Sequence, residues 1–443
     1  MLAAMSPSPD PAAPGLGVPG RAREDACPGA LRLHTADDGA LARVRLPGGL
    51  LTDRQVDVLA DAAEALGDGR LETTSRGNVQ LRGLPEGCGR DLAARLRGAG
   101  LLPSDRHERI RNIVASPLTG LDGNGSADVT TWARELDGRL CAADWSTALS
   151  GRFLFALDDG RGDVAGLDAD VTLIATPGGG ALLRLGRATT ALRVPAGQAV
   201  DAALRAARAF LALPRTTTVR AWRIREADPD GTLLSLPGLP TAALPALPGT
   251  PPPAGPLTGP DGRHTLAADL RFGRAPAGVW RRLARAAADG AGELRVTPWR
   301  GVVVPGLSPD AARSWAGRLT AAGLGLDPHS PWRLAMACTG TPGCARSLAD
   351  VRGDAALALD AVDPSAGPTL AAGAAGAAGA GLLPVHWSGC ERRCGHPAGE
   401  WVDVLATGDG YEVAVRRPQA PPASRTTTPQ QMADAVASAR RTK

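Results

Sequence analysis

Four of the seven cysteines in this 443-residue chain form two close pairs towards its carboxyl end. Cys338 and Cys344 lie in ACTGTPGC, and Cys390 and Cys394 lie in GCERRCG. Glycine and proline beside these cysteines suit tight loops that can approach a bound group closely. A 4Fe-4S cluster is commonly held by four cysteine thiolates, so two short loops with two thiolates each can enclose it. The spacing therefore predicts one 4Fe-4S cluster held by these four residues.

Two other interpretations of the cysteines remain open at this stage. Structural zinc sites also use four cysteines, but their pairs are usually separated by about two to four residues. Cys338 and Cys344 are separated by five, which is wide for zinc. The other alternative is that the pairs bind no metal. Cys27, Cys88 and Cys141 stand alone and are expected to be buried small hydrophobes or surface thiols.

The composition excludes several classes of protein. A net charge of +4 is small for this length and argues against a dedicated nucleic-acid surface. No apolar run reaches the roughly 18 residues of a membrane-spanning helix, so we expect no membrane segment and a cytoplasmic location. Lys443 is the only lysine, so every internal basic residue apart from histidine is an arginine. An arginine is therefore weaker evidence for anion binding here than in most proteins.

The chain contains an internal duplication. Leu41 to Gly120 and His264 to Gly343 show the same order of signals, β-α-β-β-α, which resembles half of a split βαβ unit. In the first copy Thr52 and Gln55 form a possible capping box at the start of the helix. We expect an α+β fold in which two ferredoxin-like half-domains form one pseudo-twofold unit. The alternative is two similar domains with no shared site.

Composition shifts and repeat boundaries suggest a domain plan. Two segments are expected to be linkers or insertions: the proline-rich stretch 236–260 and the low-complexity stretch 364–381. The expected units are a disordered tail (1–25), a first ferredoxin-like half-domain (26–103), a first reductase-type α/β domain (104–235), the linker (236–260), a second half-domain (261–325), a cluster domain (326–416) and a tail (417–443).

These motifs together resemble the nitrite/sulfite reductase family. The C-x5-C and C-x3-C pairs are similar to its cluster signature, and LETTSRGNVQLRG is similar to its T-x-R-x-N/Q-x-Q motif. RIRNIVASP resembles its R-N-V-x-x-S/T motif, and the duplication resembles its paired half-domains. The resemblance covers most of residues 40–410. It implies a fold with two further α/β domains and a pocket for a tetrapyrrole beside the cluster.

The same resemblance suggests which residues hold the tetrapyrrole. A polycarboxylate ring requires cations with forked donors. Arg76 and Arg111 match the family's arginines and are the predicted carboxylate clamps. Their predicted neighbours in the site are Asn78, Gln80, Arg82 and Asn112. Strand alternation places Asn78, Gln80 and Arg82 on one face, which could also be an ordinary solvated strand face.

Other positions depart from the family or have two interpretations. The reductases usually carry L-P-R-K-x-K where this chain has Thr216 and Thr218, so two expected cations are missing. His386 and His396 could bind a second iron or polarise the site, or His396 could only cap its loop. The stretch around Trp299 and Arg300 matches the first motif in the second copy and is expected to be structural.

Within the family, three stretches resemble the branch that acts on cobalamin precursors. They are ACPGALRL (26–33), DGALARVRLPGG (38–49) and VHWSGCERRCGHP (385–397), which has Glu391 and Arg392 where sulfite reductases usually have Pro-Asn. This branch implies a monooxygenase-type oxidoreductase of aerobic cobalamin biosynthesis. The expected reaction is O2-dependent hydroxylation and lactone formation that converts precorrin-3A to precorrin-3B, with a 4Fe-4S cluster and room for a mononuclear non-haem iron.

Two alternatives to this function remain. One is a sirohaem-dependent assimilatory sulfite or nitrite reductase, and the other is an electron-transfer protein without catalytic activity. No convincing GxGxxG fingerprint follows a strand, so the chain is not expected to bind NAD(P)H itself. An external donor, either a ferredoxin or an NAD(P)H reductase, is the expected source of electrons. No nucleic-acid or membrane partner is expected.

Overall fold

The computed structural model describes residues 25, 27–213, 221–362, 382–397, 399–417, 424–428 and 431–441. The predictions for Thr216, Thr218, the insertion 364–381 and all but the last residue of the amino-terminal tail lie outside these ranges. No described helix is both long and apolar enough to cross a membrane. The strands are β1 (His34–Ala36), β2 (Gly39–Val44), β3 (Leu50–Thr52), β4 (Arg70–Thr73), β5 (Val79–Leu84), β6 (Ile113–Ala115), β7 (Phe155–Asp158), β8 (Val171–Ala175), β9 (Ala181–Leu185), β10 (Thr190–Val194), β11 (Thr241–Ala243), β12 (Gly255–Thr258), β13 (His264–Asp269), β14 (Arg274–Pro276), β15 (Glu293–Val296), β16 (Gly301–Leu307), β17 (Ala335–Ala337), β18 (Val385–Ser388), β19 (Trp401–Thr407), β20 (Gly410–Arg416) and β21 (Ser424–Thr427). The helices are α1 (Asp53–Leu66), α2 (Gly89–Gly98), α3 (Thr130–Cys141), α4 (Ala199–Ala212), α5 (Ile224–Ala227), α6 (Ala277–Ala288), α7 (Pro309–Ala321), α8 (Val351–Asp360) and α9 (Met432–Arg441).

The two copies of the repeat interlock through exchanged strands. The first sheet has the order β1-β2-β5-β4-β14, so its last strand comes from the second copy. The second sheet has the order β12-β13-β16-β15-β3, so its last strand comes from the first copy. Helices α1 and α6 pack together over both sheets, and one apolar core continues through the two copies. The copies therefore form a single unit, and the predicted α+β fold with duplicated half-domains is confirmed.

Local sequence signals explain where the helices of this unit begin. Thr52 accepts a hydrogen bond from the Gln55 amide, and the Gln55 side chain accepts one from the Thr52 amide, which completes the predicted capping box of α1. Ser308 caps α7 in the same way by accepting from the Ala311 amide, with Pro309 at the first helical position. These caps fix how each helix leaves its strand and crosses its sheet.

Two further α/β domains share one topology. In the first, parallel strands β6, β7 and β8 are followed by antiparallel β9 and β10. In the second, parallel β17, β18 and β19 are followed by antiparallel β20 and β21. Each sheet is covered by apolar helices, α3 and α4 in the first domain and α8 and α9 in the second. The pseudo-twofold relation therefore extends over all four sheets.

Two segments outside the predicted domains are part of the sheets. The linker predicted over 236–260 contributes β11 to the first α/β domain and β12 to the second half-domain, because both strands pair with sheet edges. The tail predicted over 417–443 contributes β21 and α9 to the cluster domain. Met432 and Val436 of α9 are buried in that domain's core. The segment predicted as a tail is thus packed on the cluster domain through α9, whose apolar face repeats every four residues.

The two copies approach most closely at a pair of glycines. Gly49 has φ of 73°, and a Cβ atom there would lie 2.1 Å from the Val296 carbonyl oxygen. Gly273 has φ of 72°, and its Cβ would lie 2.7 Å from Thr73 Oγ1. Both positions combine a left-handed backbone with contact across the repeat, so only glycine fits without displacement.

Gly49→Ala is therefore expected to destabilise the whole duplicated unit. The left-handed backbone and the clash with Val296 together should cost roughly 2–5 kcal/mol of unfolding free energy, measured by urea denaturation. Gly69→Ala is the matched control, because Gly69 has the same φ of 73° and no atom within 4 Å of its Cβ position. The control should lose only the conformational part, about 1–2 kcal/mol. Equal losses in the two variants would contradict the close approach.

Candidate functional site

The cysteine loops leave the carboxyl ends of two neighbouring parallel strands. Cys338 follows β17 directly, and Cys390 lies two residues beyond β18. The Cys338 amide donates to the Trp387 carbonyl at 2.9 Å, and the Gly389 amide donates to Cys338 Sγ at 3.2 Å. Since the carboxyl ends of parallel strands meet at one edge of a sheet, both cysteine pairs are brought to the same edge.

The four thiols lie within electrostatic reach of one another. Burial raises the pKa of the Cys394 thiol, and nearby Cys390 raises it further, with Cys338 and Cys344 adding to the same effect. Among the described residues, no three His, Cys, Asp or Glu side chains are close enough to hold one ion. Four cysteine thiolates carried on two loops at one edge of a sheet are the donor set that commonly holds a 4Fe-4S cluster, and in this respect the residues present fit that group.

The cysteine loops rest on the first half-domain. Asp37 Oδ2 accepts from the Ala345 amide at 2.8 Å. Arg352 Nε donates to the Cys338 carbonyl at 3.0 Å, and its Nη1 donates to Glu72 Oε1 at 2.9 Å. Glu72 lies on β4 of the first sheet, so one arginine joins the first cysteine to the polar face of that sheet.

The equivalent edge of the first α/β domain is closed by its own hydrogen bonds. Ser116 follows β6, and its hydroxyl donates to Asp163 Oδ1 at 2.6 Å. Asp158 at the end of β7 accepts from the amides of Gly160 and Gly162. Ser116 thus stands where the second domain has Cys338, and Gly160 where it has Cys390, so among the described residues this edge of the first α/β domain does not repeat the cysteine pairs.

The predicted strand face on β5 is present, but its side chains are paired within the protein. Gln80 accepts from Arg43 Nη2 and donates to Glu72 Oε2, at 3.0 and 3.1 Å. Arg82 binds both oxygens of Asp38 at 2.8 and 2.7 Å. The face is therefore not a solvated strand surface. It is a hydrogen-bonded layer beneath the cysteine loops.

Arg111, Asn112 and Asn78 form a second buried network. Arg111 binds both oxygens of Asp137 at 2.6 and 2.7 Å, and its side chain is only 5% exposed. Asn112 donates to the Gly151 carbonyl at 2.7 Å and accepts from Asn78. Asn78 in turn accepts from the Leu46 amide. That Arg111 clamps a carboxylate ligand stays a prediction, and such a ligand would compete with Asp137.

Four other arginines meet at the junction of the domains: Arg43, Arg45, Arg76 and Arg300. We call them the basic cluster. No described carboxylate lies within ion-pair distance of any of them. Arg45 donates to the carbonyls of Pro28 and Arg109, Arg76 to that of Gly151, and Arg300 to that of Thr73. Arg43 donates to the side-chain oxygen Oε1 of Gln80.

Without a bound anion, the charged state of the arginines in the basic cluster is disfavoured by burial and by their mutual repulsion. Burial, and next the charge of Arg43, lower the pKa of Arg45 to about 9. Burial, and next the charge of Arg223, lower the pKa of Arg76 to about 10. Arg43 Nε, Arg45 Nη1 and Arg300 Nε are buried and have no hydrogen-bond partner in the described structure. Buried polar groups are nearly always satisfied, so these donors indicate a site for an anionic ligand.

The cluster domain turns a polar face to the same junction. On β18, Val385 and Trp387 enter that domain's core, whereas His386 and Ser388 point to the opposite face. Both ring nitrogens of His386, Ser388 Oγ and Asp403 Oδ1 are buried without a partner in the described structure. Burial, and next the charge of Arg300, lower the pKa of His386 to about 3, so its imidazole is neutral.

Arg300 connects the basic cluster to the cysteine loops. A Cβ atom on Gly395, next to Cys394, would lie 3.5 Å from Arg300 Nη2 and 4.0 Å from His386 Cε1. His396 is exposed: it stacks on Trp401 with ring centres 5.1 Å apart and hydrogen-bonds the Pro397 carbonyl, and His386 meets the same Trp401 edge-on with ring centres 6.0 Å apart. His396 therefore caps its loop, which is one of its two predicted roles. His386 is the histidine at the junction.

The Arg-Gly pairs of the two copies, Arg76-Gly77 and Arg300-Gly301, are one residue out of step with the structural alignment of the repeats. In the structure, Gly77 and Arg300 both have φ of 63°, and each amide donates to the threonine three residues before it. Trp299 is thus the counterpart of Arg76, and it packs on an apolar cluster as expected of a structural residue. Aligning Gly83 with Gly306, rather than the two Arg-Gly pairs with each other, gives the alignment seen in the structure.

A separate groove of about 950 Å³ lies on the other side of the first cysteine loop. Its charged lining consists of four arginines and four aspartates: Arg70, Arg271, Arg274, Arg352, Asp37, Asp38, Asp68 and Asp350. Arg274 is paired with Asp68, and Arg271 stacks on Trp332. The groove is larger than many ligand sites, but its charges are balanced, so the basic cluster is the better site for an anion.

Comparisons with known proteins agree with this architecture. Residues 34–99 and 256–322 each match the nitrite/sulfite reductase ferredoxin-like half domain. The chain is 34% identical over 189 residues to precorrin-3B synthase of Sinorhizobium sp, which covers 41% of this chain and 40% of that protein. It is 33% identical over 127 residues to the ferredoxin–nitrite reductase of Synechococcus elongatus, covering 27% of this chain and 25% of that protein.

The structural similarity covers more of the chain than the sequence alignments do. The structure of Mycobacterium tuberculosis NirA protein superposes with a TM-score of 0.67 and 19% identity, covering 89% of this chain and 79% of that chain. The sequence alignments span less than half the length of the synthase and of the reductase. The chain is thus a homologue of both proteins over part of its length and shares the overall fold of the third.

Cys390→Ser should lose the cluster, because one iron would lack its thiolate ligand. After anaerobic purification, iron and sulfide content should fall well below about four of each per chain, and the broad visible absorption should disappear. Cys88→Ser is the control, since Cys88 lies at the start of α2 and outside the cysteine loops. Full iron and sulfide content in Cys390→Ser would remove this residue from the ligand set.

Proposed function

We propose that this chain, with its two nitrite/sulfite reductase ferredoxin-like half domains, is an oxidoreductase that acts on a tetrapyrrole polycarboxylate. The observation that carries the proposal is the basic cluster beside the cysteine loops: Arg45 is buried, Arg43, Arg76 and Arg300 are half-buried, and no described carboxylate lies within ion-pair distance of any of them. A precorrin carries carboxylates around its rim, and several guanidinium groups at one junction match that distribution of charge.

The proposed reaction is the conversion of precorrin-3A to precorrin-3B in aerobic cobalamin synthesis. One atom of dioxygen enters the ring as a hydroxyl group, and the other leaves as water with two electrons and two protons from an external donor. A neighbouring acetate side chain then closes into a lactone by adding to the ring, with no further oxidant. The homology to a precorrin-3B synthase supports this substrate over sulfite or nitrite.

The protein residues then have distinct roles. Arg43, Arg45 and Arg76 bind carboxylates and orient the ring, because Arg43 and Arg45 have buried donors without a described partner and the charge of Arg76 acts on Arg45. His386 is neutral and buried, so it can donate or accept a hydrogen bond at the ring without adding charge. A 4Fe-4S cluster on Cys338, Cys344, Cys390 and Cys394 would supply single-electron transfer next to the bound ring.

The electrons are proposed to come from a separate protein, either a ferredoxin or an NAD(P)H reductase. The matched nitrite reductases are named for ferredoxin, which supports a donor of that kind for this chain. A mononuclear non-haem iron stays part of the proposal. No three described His, Cys, Asp or Glu side chains converge on one ion, so side chains would have to move to bind it.

The second candidate is a sirohaem-dependent sulfite or nitrite reductase, and the matches to nitrite reductases favour it. The same basic cluster could bind the carboxylates of a resident sirohaem. The two functions differ in whether the tetrapyrrole is cofactor or substrate. Protein purified without added tetrapyrrole should show the broad absorption of an iron-sulfur cluster and no sirohaem bands.

The activity itself separates these candidates. Cluster-containing protein, given precorrin-3A, dioxygen and a chemical reductant, should form a product heavier by one oxygen atom, detected by mass spectrometry. Sulfite and nitrite should not be reduced by the same preparation. Sirohaem bands together with nitrite or sulfite turnover would replace the proposed function with the reductase.

Arg76→Ala should weaken precorrin-3A binding about 10- to 150-fold, the equivalent of losing one charged hydrogen bond of roughly 1.5–3 kcal/mol. Arg54→Ala, which removes an exposed arginine on α1 of the same half-domain, should bind like the parent protein.

Arg111→Ala tests the second predicted clamp separately. It leaves Asp137 without its partner, so the melting temperature should fall; breaking a fully buried pair costs roughly 3–5 kcal/mol, and less here because Asp137 keeps 18% of its side chain exposed. If Arg111 is also a clamp, precorrin affinity should fall at temperatures where the variant is fully folded. Unchanged affinity there would restrict Arg111 to a structural role.

A further inference from the structure

Arg300 has a backbone conformation that folding alone does not favour. Its φ is 63°, in the left-handed region where residues other than glycine are strained. The equivalent position of the first copy is Gly77, which has the same φ. The same turn therefore forms with glycine, and the arginine side chain must contribute something that glycine would not.

One nitrogen of the Arg300 guanidinium is hydrogen-bonded, and the other two have no described hydrogen-bond partner. Nη1 donates to the Thr73 carbonyl at 3.2 Å, which fixes the side chain against the first copy. Nε is buried without a partner, and Nη2 forms no hydrogen bond with a described residue. Nη2 lies beside Gly395 and His386 of the cluster domain. Arg300 thus spans from the second copy of the repeat to the first copy and to the cysteine loop.

The Nε and Nη2 groups of Arg300 have no described partner. In other arginines of this chain the same two groups bind carboxylates. Arg82 holds Asp38 through Nε and Nη2, and Arg111 holds Asp137 through the same two atoms. Two parallel N–H groups match the two oxygens of a carboxylate. For Arg300 no described carboxylate occupies this position, and Glu72 is the nearby acid that acts on it only through its charge.

We infer that Arg300 binds one carboxylate of the tetrapyrrole side-on and thereby sets which edge of the ring faces the cysteine loop. This inference rests on the proposed function and adds a residue of the second copy to a site built otherwise from the first. Arg300 is a positioning residue, because it orients the ring without being assigned a part in the chemistry. The strain at its backbone is offset only when the anion is present.

The test uses the cluster-containing full chain under anaerobic conditions and uroporphyrin III, a tetrapyrrole with carboxylates around its rim. Its affinity is measured by fluorescence titration for the parent protein, Arg300→Gly, Arg300→Lys and Arg313→Gln. Arg313 is the control, since it lies on α7 of the same half-domain, 73% exposed, and pairs with Asp310. The methyl ester of the same porphyrin serves as the probe without carboxylates.

Arg300→Gly should bind uroporphyrin about 10- to 100-fold more weakly than the parent, with the same cluster absorption and an equal or higher melting temperature. Arg300→Lys should recover part of the loss, because it keeps the charge and lacks the fork. Arg313→Gln should bind like the parent. Binding of the methyl ester should be weak and should not distinguish Arg300→Gly from the parent.

Each result has one consequence. Parent-like uroporphyrin affinity in folded Arg300→Gly and Arg300→Lys would overturn the role of Arg300 and leave the proposed function standing. If Arg300→Gly fails to fold, the strain argument is wrong, and Arg300→Lys alone decides the role by its affinity. Absence of uroporphyrin binding in the parent protein would overturn the proposed substrate class and the inference with it.

Discussion

The constraint on which the site depends is positive charge held at a domain junction with no described carboxylate within ion-pair distance. Arg43, Arg45, Arg76 and Arg300 meet where three structural units join, and donors on three of them are buried and unpaired in the described structure. A protein gains nothing in stability from such an arrangement, since isolated buried charge is among the costliest features of a fold. The arrangement is understandable if the native ligand brings the negative charge.

The interlocked repeat is what makes this arrangement possible. Each copy contributes a strand to the other's sheet, and the glycines Gly49 and Gly273 allow the two turns to cross closely. Arg76 lies in the short turn between β4 and β5 and Arg300 in the short turn between β15 and β16, so their positions are fixed by the sheets and not by mobile loops. The second α/β domain then places its cysteine loops and His386 against the same junction. The two copies keep the same backbone topology, while their side chains at the site differ.

Much of this could be predicted from the sequence, and the failures have physical causes. The cysteine pairs, the capping box at Thr52 and the duplication are local patterns, and the structure contains each of them. The pairing of Arg111 with Asp137 and of Arg82 with Asp38 could not be predicted, because a sequence motif does not show which carboxylate lies opposite. Arg300 was assigned a structural role since its left-handed backbone, the feature that marks it, has no signature in a single sequence. The packing of α9 on the cluster domain could not be predicted because its apolar face is short and rich in alanine.

The central claim is that a tetrapyrrole polycarboxylate binds at the basic cluster and not in the larger groove lined by Arg271 and Trp332. The most direct measurement is a crystal structure of the cluster-containing protein grown with uroporphyrin III. The account predicts the ring at the junction, with carboxylate oxygens within hydrogen-bond distance of Arg43, Arg45, Arg76 and Arg300 and one edge against Gly395. A porphyrin found in the groove, with the basic cluster unchanged, would contradict it.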